Sequence, residues 1–238
     1  METRHIPDFR KTAMVLFLFA VAMGYLEAVI VVYLRELYYP EGFDFPLILL
    51  PERTVLIEYV RELATLVMLW GVGWLAGRNG TSRFGWFLYA FGIWDLFYYV
   101  TLKAVLGWPA SLLTWDVLFL IPIVWAAPVL APALNAVTMV AYGLVLNARR
   151  TLPPALSRKE WSLLVAGAGV VFFTFIRDYG MLLWQHRHSG QQKALLEAVT
   201  RYVPEKFAWI PWAAGELLIL ASLLSWWQRS RRAEAKVS

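Results

Sequence analysis

Residues 13–34 read AMVLFLFAVAMGYLEAVIVVYL, a stretch of 22 residues that contains a single charged side chain, Glu27. A helix needs about 20 predominantly apolar residues to cross the hydrocarbon core of a bilayer, so this stretch predicts a membrane span. Five further segments of similar character lie at 55–76, 84–106, 127–146, 161–184 and 207–227. The sequence therefore predicts an all-α, polytopic transmembrane bundle of about six spans. It forms a single domain over 1–238 and ends in a basic cytoplasmic tail at 229–238.

The composition supports a membrane protein and excludes several kinds of chemistry. Hydrophobic residues make up 60% of the chain and charged residues 16%, against about 45–50% and about 25% in typical soluble domains. The chain has no cysteine, which excludes disulfides, thiol catalysis and Cys-bound metals. Three histidines are too few for a haem or a His-rich metal site, so we expect no metal and no cofactor. The net charge of +5 lies mostly in tails and loops, where topology explains it without nucleic-acid binding.

The distribution of Lys and Arg predicts the orientation of the spans. With six spans, 13 of these residues fall in the two tails and in the loops on the same side, and 7 fall on the opposite side. By the positive-inside rule, both termini are cytoplasmic. The 13 tryptophans concentrate near the predicted span ends, as expected for interfacial aromatic belts. We expect a multi-pass protein of the cell membrane, in a bacterial inner membrane.

Two segments on the predicted outer side need separate treatment. Residues 117–126 are apolar but too short to cross alone, and Pro122, Pro128 and Pro132 interrupt the region. Because proline removes a backbone donor and clashes with the preceding helical turn, we expect either one kinked helix from 117 to 146 or a re-entrant half-helix before span four. Residues 191–203 have apolar side chains on one helical face and predict a helix lying on the outer membrane surface.

Charged side chains inside the predicted spans are the main functional signal. Each charge at the bilayer centre costs roughly 2.5–3.5 kcal/mol on insertion scales, so these groups must face one another, water or a ligand. All of them fall at the predicted midplane or in the outer half of the bundle. With two neighbouring tyrosines and one acid at the mouth, the candidate ligand- or ion-binding residues are Glu27, Glu58, Arg61, Glu62, Asp95, Tyr98, Tyr99, Asp116, Arg177, Asp178 and Glu216.

Helical spacing predicts some of the pairing. Glu58, Arg61 and Glu62 lie three and four residues apart and share a face, so Arg61 can pair with Glu58. Arg177 and Asp178 are adjacent and point about 100° apart on a helix. We therefore expect each to find its partner on another helix, with Arg177 meeting a carboxylate from span one, two or six.

The predicted cluster has more acids than bases. Six carboxylates lie within the spans against three cations, one of which, Lys103, can extend to the membrane interface. Full ionisation would leave a negative pocket, which requires either a bound cation or protonated carboxyls. A purely structural ion-pair network between helices is the alternative.

Two short segments carry a loose family resemblance. WDLFYY at 94–99 and TWDVLFLIP at 114–122 resemble stretches found in an uncharacterised family of bacterial multi-pass membrane proteins. The resemblance implies a multi-pass membrane fold and no activity.

Three functions fit these features. The first is an outward-facing intramembrane site of acids and ion pairs that binds or translocates a cation, a proton or a small polar ligand. The second is a membrane-embedded enzyme that uses carboxylates and aromatic residues on a lipid or isoprenoid substrate. The third is a structural subunit that docks a membrane-protein partner. Whether the protein is an enzyme stays open, and no catalytic residue is assigned.

Overall fold

The fold is a bundle of long helices with one small β-hairpin. A computed structural model describes residues 8–148, 153–186 and 192–235. Within these residues the elements are, in chain order, α1 (Phe9–Tyr38), α2 (Glu52–Ala76), α3 (Gly80–Leu106), β1 (Trp115–Phe119), β2 (Trp125–Pro128), α4 (Leu130–Asn147), α5 (Arg158–His186), α6 (Gln192–Arg201) and α7 (Trp209–Glu234).

Local sequence signals explain where several helices begin and end. The Asp8 side chain accepts a hydrogen bond from the Arg10 amide and caps α1. Ser157 and Glu160 form a reciprocal capping box at the start of α5, in which the Ser157 amide donates to Glu160 Oε2 at 2.7 Å. At the end of α3, Gly107 adopts a left-handed conformation with φ of 67°, which glycine adopts without steric cost.

Four of the six predicted spans lie within a long helix, and the other two overlap one. The segment 127–146 begins in β2, ahead of α4, and the segment 207–227 begins ahead of α7. Among the described residues, four helices are long and apolar enough to cross a membrane: Phe9–Tyr38, Leu130–Asn147, Arg158–His186 and Trp209–Ala233. The helices α2 and α3 have comparable lengths of 25 and 27 residues but are not among these four. The chain thus has the helices of a membrane protein, and the crossing of α2 and α3 stays a prediction. A helix also occupies the predicted interfacial segment, as α6.

The proline-rich segment before α4 differs from both sequence-based expectations. Residues 117–126 are neither half of a kinked helix nor a re-entrant half-helix, since β1 and β2 pair antiparallel with Val117 opposite Ala126. Two physical reasons favour the hairpin. Proline at 122 and 128 cannot continue a helix, and the aromatic and β-branched residues of Trp115–Phe119 suit an extended strand. Pro132 lies in the first turn of α4, where its missing amide hydrogen costs nothing.

Two sets of helices make up the bundle. In one set α3 packs against α1, α2 and α4, and in the other α5 packs against α7, with sparser contact between α4 and α7. Glycines allow the close approaches: a Cβ added at Gly167 of α5 would lie 2.6 Å from the carbonyl oxygen of Gly215 in α7. Gly167 therefore serves the close packing of α5 against α7. A large space remains between the two sets.

Candidate functional site

A cavity of about 1070 Å³ occupies the space between the two sets of helices. Its walls come from α1–α7, from the hairpin and from the segment between α1 and α2. The hairpin, the C-terminal end of α3 and the N-terminal end of α4 meet at one end of the bundle, which we call the hairpin end. Phe84, Tyr142 and Trp161 line the cavity towards the opposite end.

Most of the residues proposed from the sequence line this cavity. They are Glu27, Glu58, Arg61, Glu62, Asp95, Tyr98, Tyr99, Asp116 and Glu216. Along their helices the acids of α1, α2 and α3 lie in the half nearer the hairpin end. The rest of the wall is largely apolar and aromatic, with Phe91, Trp125 and Phe172 among its members. The cavity therefore has a charged part and an apolar part.

Arg61 forms a two-carboxylate ion pair that joins α1 to α2. Its Nε donates to Glu58 Oε2 at 2.7 Å, and its Nη1 donates to Glu27 Oε1. The pairing of Arg61 with Glu58 expected from helical spacing is confirmed. The three side chains are 18%, 13% and 7% exposed for Arg61, Glu27 and Glu58. A buried pair of this kind depends on keeping every partner, because a lone charge left behind is costly.

Glu62 and Asp116 attach the hairpin to the helices. Both carboxylate oxygens of Glu62 accept from the Leu120 amide at 3.0 Å. Arg35 Nη2 donates to Asp116 Oδ1, also at 3.0 Å. Burial raises the pKa of Asp116 to about 6, although the Arg35 guanidinium and the Tyr99 hydroxyl act in the opposite direction. The hairpin turn is therefore fixed from α2 and its first strand from α1.

Arg35 is a site residue that the sequence reasoning missed. It falls one residue beyond the predicted end of span one, yet it is only 7% exposed. Its guanidinium lies 3.7 Å from the Trp108 ring centroid and 4.4 Å from that of Phe43, a cation–π arrangement. A signal existed, because Arg35 follows Glu27 by eight residues and so shares its helical face.

Asp95 and Tyr98 reach the cavity without a partner. Neither the Asp95 carboxyl nor the Tyr98 hydroxyl makes a hydrogen bond or ion pair with another described residue, and both side chains line the cavity. They lie three residues apart on α3, one helical turn from each other. The Tyr98 ring meets that of Tyr99 edge to face, with centroids 4.9 Å apart. Asp95 and Tyr98 are therefore available to a ligand.

Glu216 supplies an acid from the other set of helices. Thr138 Oγ1 of α4 donates to Glu216 Oε2 at 2.8 Å, and Glu216 is 8% exposed. Its other oxygen makes no hydrogen bond to a described residue, and no described basic side chain pairs with it. Nearby on α4, Asn135 Oδ1 accepts from Trp212 Nε1 at 3.0 Å, and Asn135 also lines the cavity.

Arg177 and Asp178 lie outside the cavity, and the expectation for their pairing is wrong. Arg177 Nε donates to the adjacent Asp178 Oδ1 at 2.9 Å, and no described carboxylate of another span meets Arg177. Neighbouring positions on a helix point about 100° apart. The arginine side chain is long and flexible enough to reach Asp178 in spite of this angle. The hydroxyl of Tyr202, the residue that follows α6, donates to Asp178 Oδ2 at 2.8 Å.

Similarity to other proteins offers no functional guide to this cavity. Within the described ranges, no three His, Cys, Asp or Glu side chains are placed to hold a metal ion. Comparison with protein-family models, with curated proteins and with solved structures finds no match to this chain. The function must therefore be argued from the cavity itself.

Proposed function

We propose that this protein binds an amphipathic molecule from the bilayer, with the apolar tail in the aromatic part of the cavity and the polar head beside Asp95. The single observation that carries the proposal is the unpartnered Asp95 carboxyl within a cavity of about 1070 Å³ that is otherwise largely apolar. Pockets for drug-sized ligands measure about 300–1,000 Å³, so this one has room for a long chain.

The polar head of the ligand is expected to contribute more to specificity than its apolar tail. A tail that leaves lipid for an apolar protein cavity gains little, because lipid chains are as apolar as leucine side chains. A polar head gains more on leaving the hydrocarbon, because polar groups of the cavity can bind it and lipid chains cannot. The residues near Asp95 that touch the head, Tyr98 above all, are thus expected to set specificity, while Phe91 and Phe172 accommodate the tail.

The proposal includes a membrane topology. Six crossings by α1–α5 and α7 would put both termini in the cytoplasm and the hairpin end on the extracytoplasmic side of a bacterial inner membrane. The bias of Lys and Arg, 13 against 7, supports this orientation. A ligand would then bind in the half of the bundle that lies in the extracytoplasmic leaflet. The helix α6 would lie on the extracytoplasmic surface of the membrane.

Translocation of a cation or proton is the second candidate, favoured by the excess of acids in the cavity wall. Cavity residues towards the opposite end, such as Phe84, Leu88 and Leu164, are apolar, which favours binding over passage. Flux of protons or sodium into proteoliposomes, measured with the wild type and Asp95→Asn, tests this candidate. Flux that the variant abolishes would support translocation.

Identification of co-purifying lipids tests the main proposal. The protein is extracted directly into polymer-bounded native nanodiscs, and bound lipids are compared by mass spectrometry between the wild type and Asp95→Asn. We expect one lipid class to be enriched relative to the bulk membrane and depleted in the variant. The matched control is Glu205→Gln, which removes an acid from an exposed loop and should leave the enrichment unchanged. Equal lipid profiles in the wild type and Asp95→Asn would contradict the proposal.

A further inference from the structure

We infer that the ligand head is an organic ammonium group bound at Asp95 of α3, in a cavity whose wall also contains the unpaired acid Glu216 of α7. This inference rests on the proposed function, and it specifies the chemistry of the head. It excludes a phosphate head as the preferred ligand. The argument uses the charges in the cavity wall, the burial of Glu216 and the aromatic side chains beside the acids.

The charges in the wall do not balance. Among the described residues, seven carboxyl groups and two arginines line the cavity. Arg35 is paired with Asp116, and Arg61 serves both Glu27 and Glu58. Four further acids, Glu52, Glu62, Asp95 and Glu216, have no basic partner among the described residues. Glu52 is exposed to solvent and Glu62 accepts from a backbone amide, which leaves Asp95 and Glu216 as the two acids that a ligand can compensate.

The burial of Glu216 is an independent sign of a missing partner. At 8% exposure the side chain is largely withdrawn from solvent, yet a single neutral hydroxyl, that of Thr138, is its hydrogen-bond donor among the described residues. A charge at membrane depth is expensive unless it is paired. A cationic head offsets this cost, a neutral head offers at most a hydrogen bond, and an anionic head adds repulsion.

Aromatic rings complete the environment that a cation prefers. Trp94, Tyr98 and Trp125 line the same cavity as the two acids. The faces of such rings attract cations, and cages of aromatic residues recognise quaternary ammonium groups. Carboxylates combined with ring faces favour an ammonium over a metal ion, which would require several converging oxygen ligands.

Three matched photo-crosslinking probes test the inference. Each has the same diazirine-bearing alkyl chain, and the heads are trimethylammonium, hydroxyl and phosphate. They are added to the full-length protein in lipid nanodiscs, and the labelled peptides are mapped by mass spectrometry. We expect saturable labelling of cavity peptides in the order ammonium, hydroxyl, phosphate, with the ammonium probe binding at least about tenfold more tightly than the hydroxyl probe, as a desolvated charge pair implies.

Two variants separate charge recognition from structure. Glu216→Gln keeps an oxygen that can accept from Thr138, and Asp95→Asn keeps the shape of Asp95. Asp95→Asn should weaken binding of the ammonium probe at least about tenfold, and Glu216→Gln should weaken it by a smaller factor. Both variants should leave binding of the hydroxyl probe unchanged, while Glu205→Gln should change the binding of neither probe. If a variant fails to fold, the inference is tested by the ratio of the affinities of the ammonium and hydroxyl probes for the wild-type protein.

Two outcomes overturn different claims. Saturable cavity labelling that is equal for the ammonium and hydroxyl probes would leave the proposed function standing and refute the ammonium head. Stronger labelling by the phosphate probe would refute it in the same way. The absence of saturable cavity labelling with all three probes would refute the proposed function together with the inference.

Discussion

Replacing Arg61 with methionine should strongly destabilise the protein, because it leaves two acids facing each other without a cation. Arg61 is the base that pairs with both Glu27 and Glu58, and all three side chains are at most 18% exposed. Breaking a buried ion pair by removing one partner costs about 3–5 kcal/mol. Since Arg61 keeps some exposure, we take the lower end, about 3 kcal/mol.

This magnitude converts into a measurable change in the melting temperature. For chains of 150–250 residues, 1 kcal/mol corresponds to about 2–4 °C, so Arg61→Met should lower the midpoint by about 6–12 °C. Intrinsic tryptophan fluorescence in detergent reports the transition, and the chain has 13 tryptophans for this purpose. A cysteine-reactive dye is unsuitable because the chain contains no cysteine.

A compensating variant distinguishes charge from packing. The triple replacement Glu27→Gln, Glu58→Gln and Arg61→Met removes every charge of the group and should recover most of the lost stability, since neutral replacements of whole buried ion pairs are often tolerated. Arg201→Met is the matched control, because Arg201 pairs with Glu197 on the surface at 77% exposure, where an ion pair contributes little. An unchanged midpoint in Arg61→Met, or a triple variant less stable than Arg61→Met, would refute this reasoning.

Two further substitutions test the packing and the hairpin attachment. Gly167→Ala should lower the melting midpoint by a few degrees, because its Cβ would lie 2.6 Å from the Gly215 carbonyl oxygen and overpacking costs about 1–3 kcal/mol; Gly169→Ala, which has nothing within 4 Å, should not, and equal effects would contradict the close helix contact. Asp116→Asn should destabilise by about 3 kcal/mol, because it leaves the Arg35 charge buried and unpaired, and accelerated proteolysis after β1 in the purified variant is the readout; a cleavage rate equal to that of the wild type would count against a structural role for this pair.

Hydrophobic length and local spacing were enough to predict the helices. The segment 13–34 lies within α1, and the acids at 58 and 62 lie on one face of α2 because helical geometry leaves no alternative. The pairing of Arg61 with Glu58 followed from the same geometry. These features depend on residues close in sequence, and for them the sequence alone is informative.

The hairpin and the partner of Arg177 could not be predicted in the same way. Proline at 122 and 128 indicates that a helix is interrupted but does not distinguish a kink from a pair of strands. The two strands are defined by their pairing with each other, in which Asp116 lies opposite Ala127, and this pairing is not evident from either segment alone. For Arg177, the outcome depended on a side-chain conformation that brings Nε to Asp178, and Asp178 is also bound by Tyr202, which lies 24 residues further along the chain. Both depend on contacts between segments distant in sequence.

The charged side chains in the cavity wall fall into two groups, those paired within the protein and those without a basic partner. Paired charges hold elements together: Arg61 joins α1 to α2, and Arg35 joins α1 to the hairpin. Because these pairs are satisfied within the protein, they do not require a ligand. Asp95 and Glu216 come from different sets of helices and have no basic partner among the described residues. An unpaired carboxylate at membrane depth destabilises the fold. A cationic head of a bound ligand would offset this cost for Asp95 and Glu216, which is the compensation that the probe experiments test.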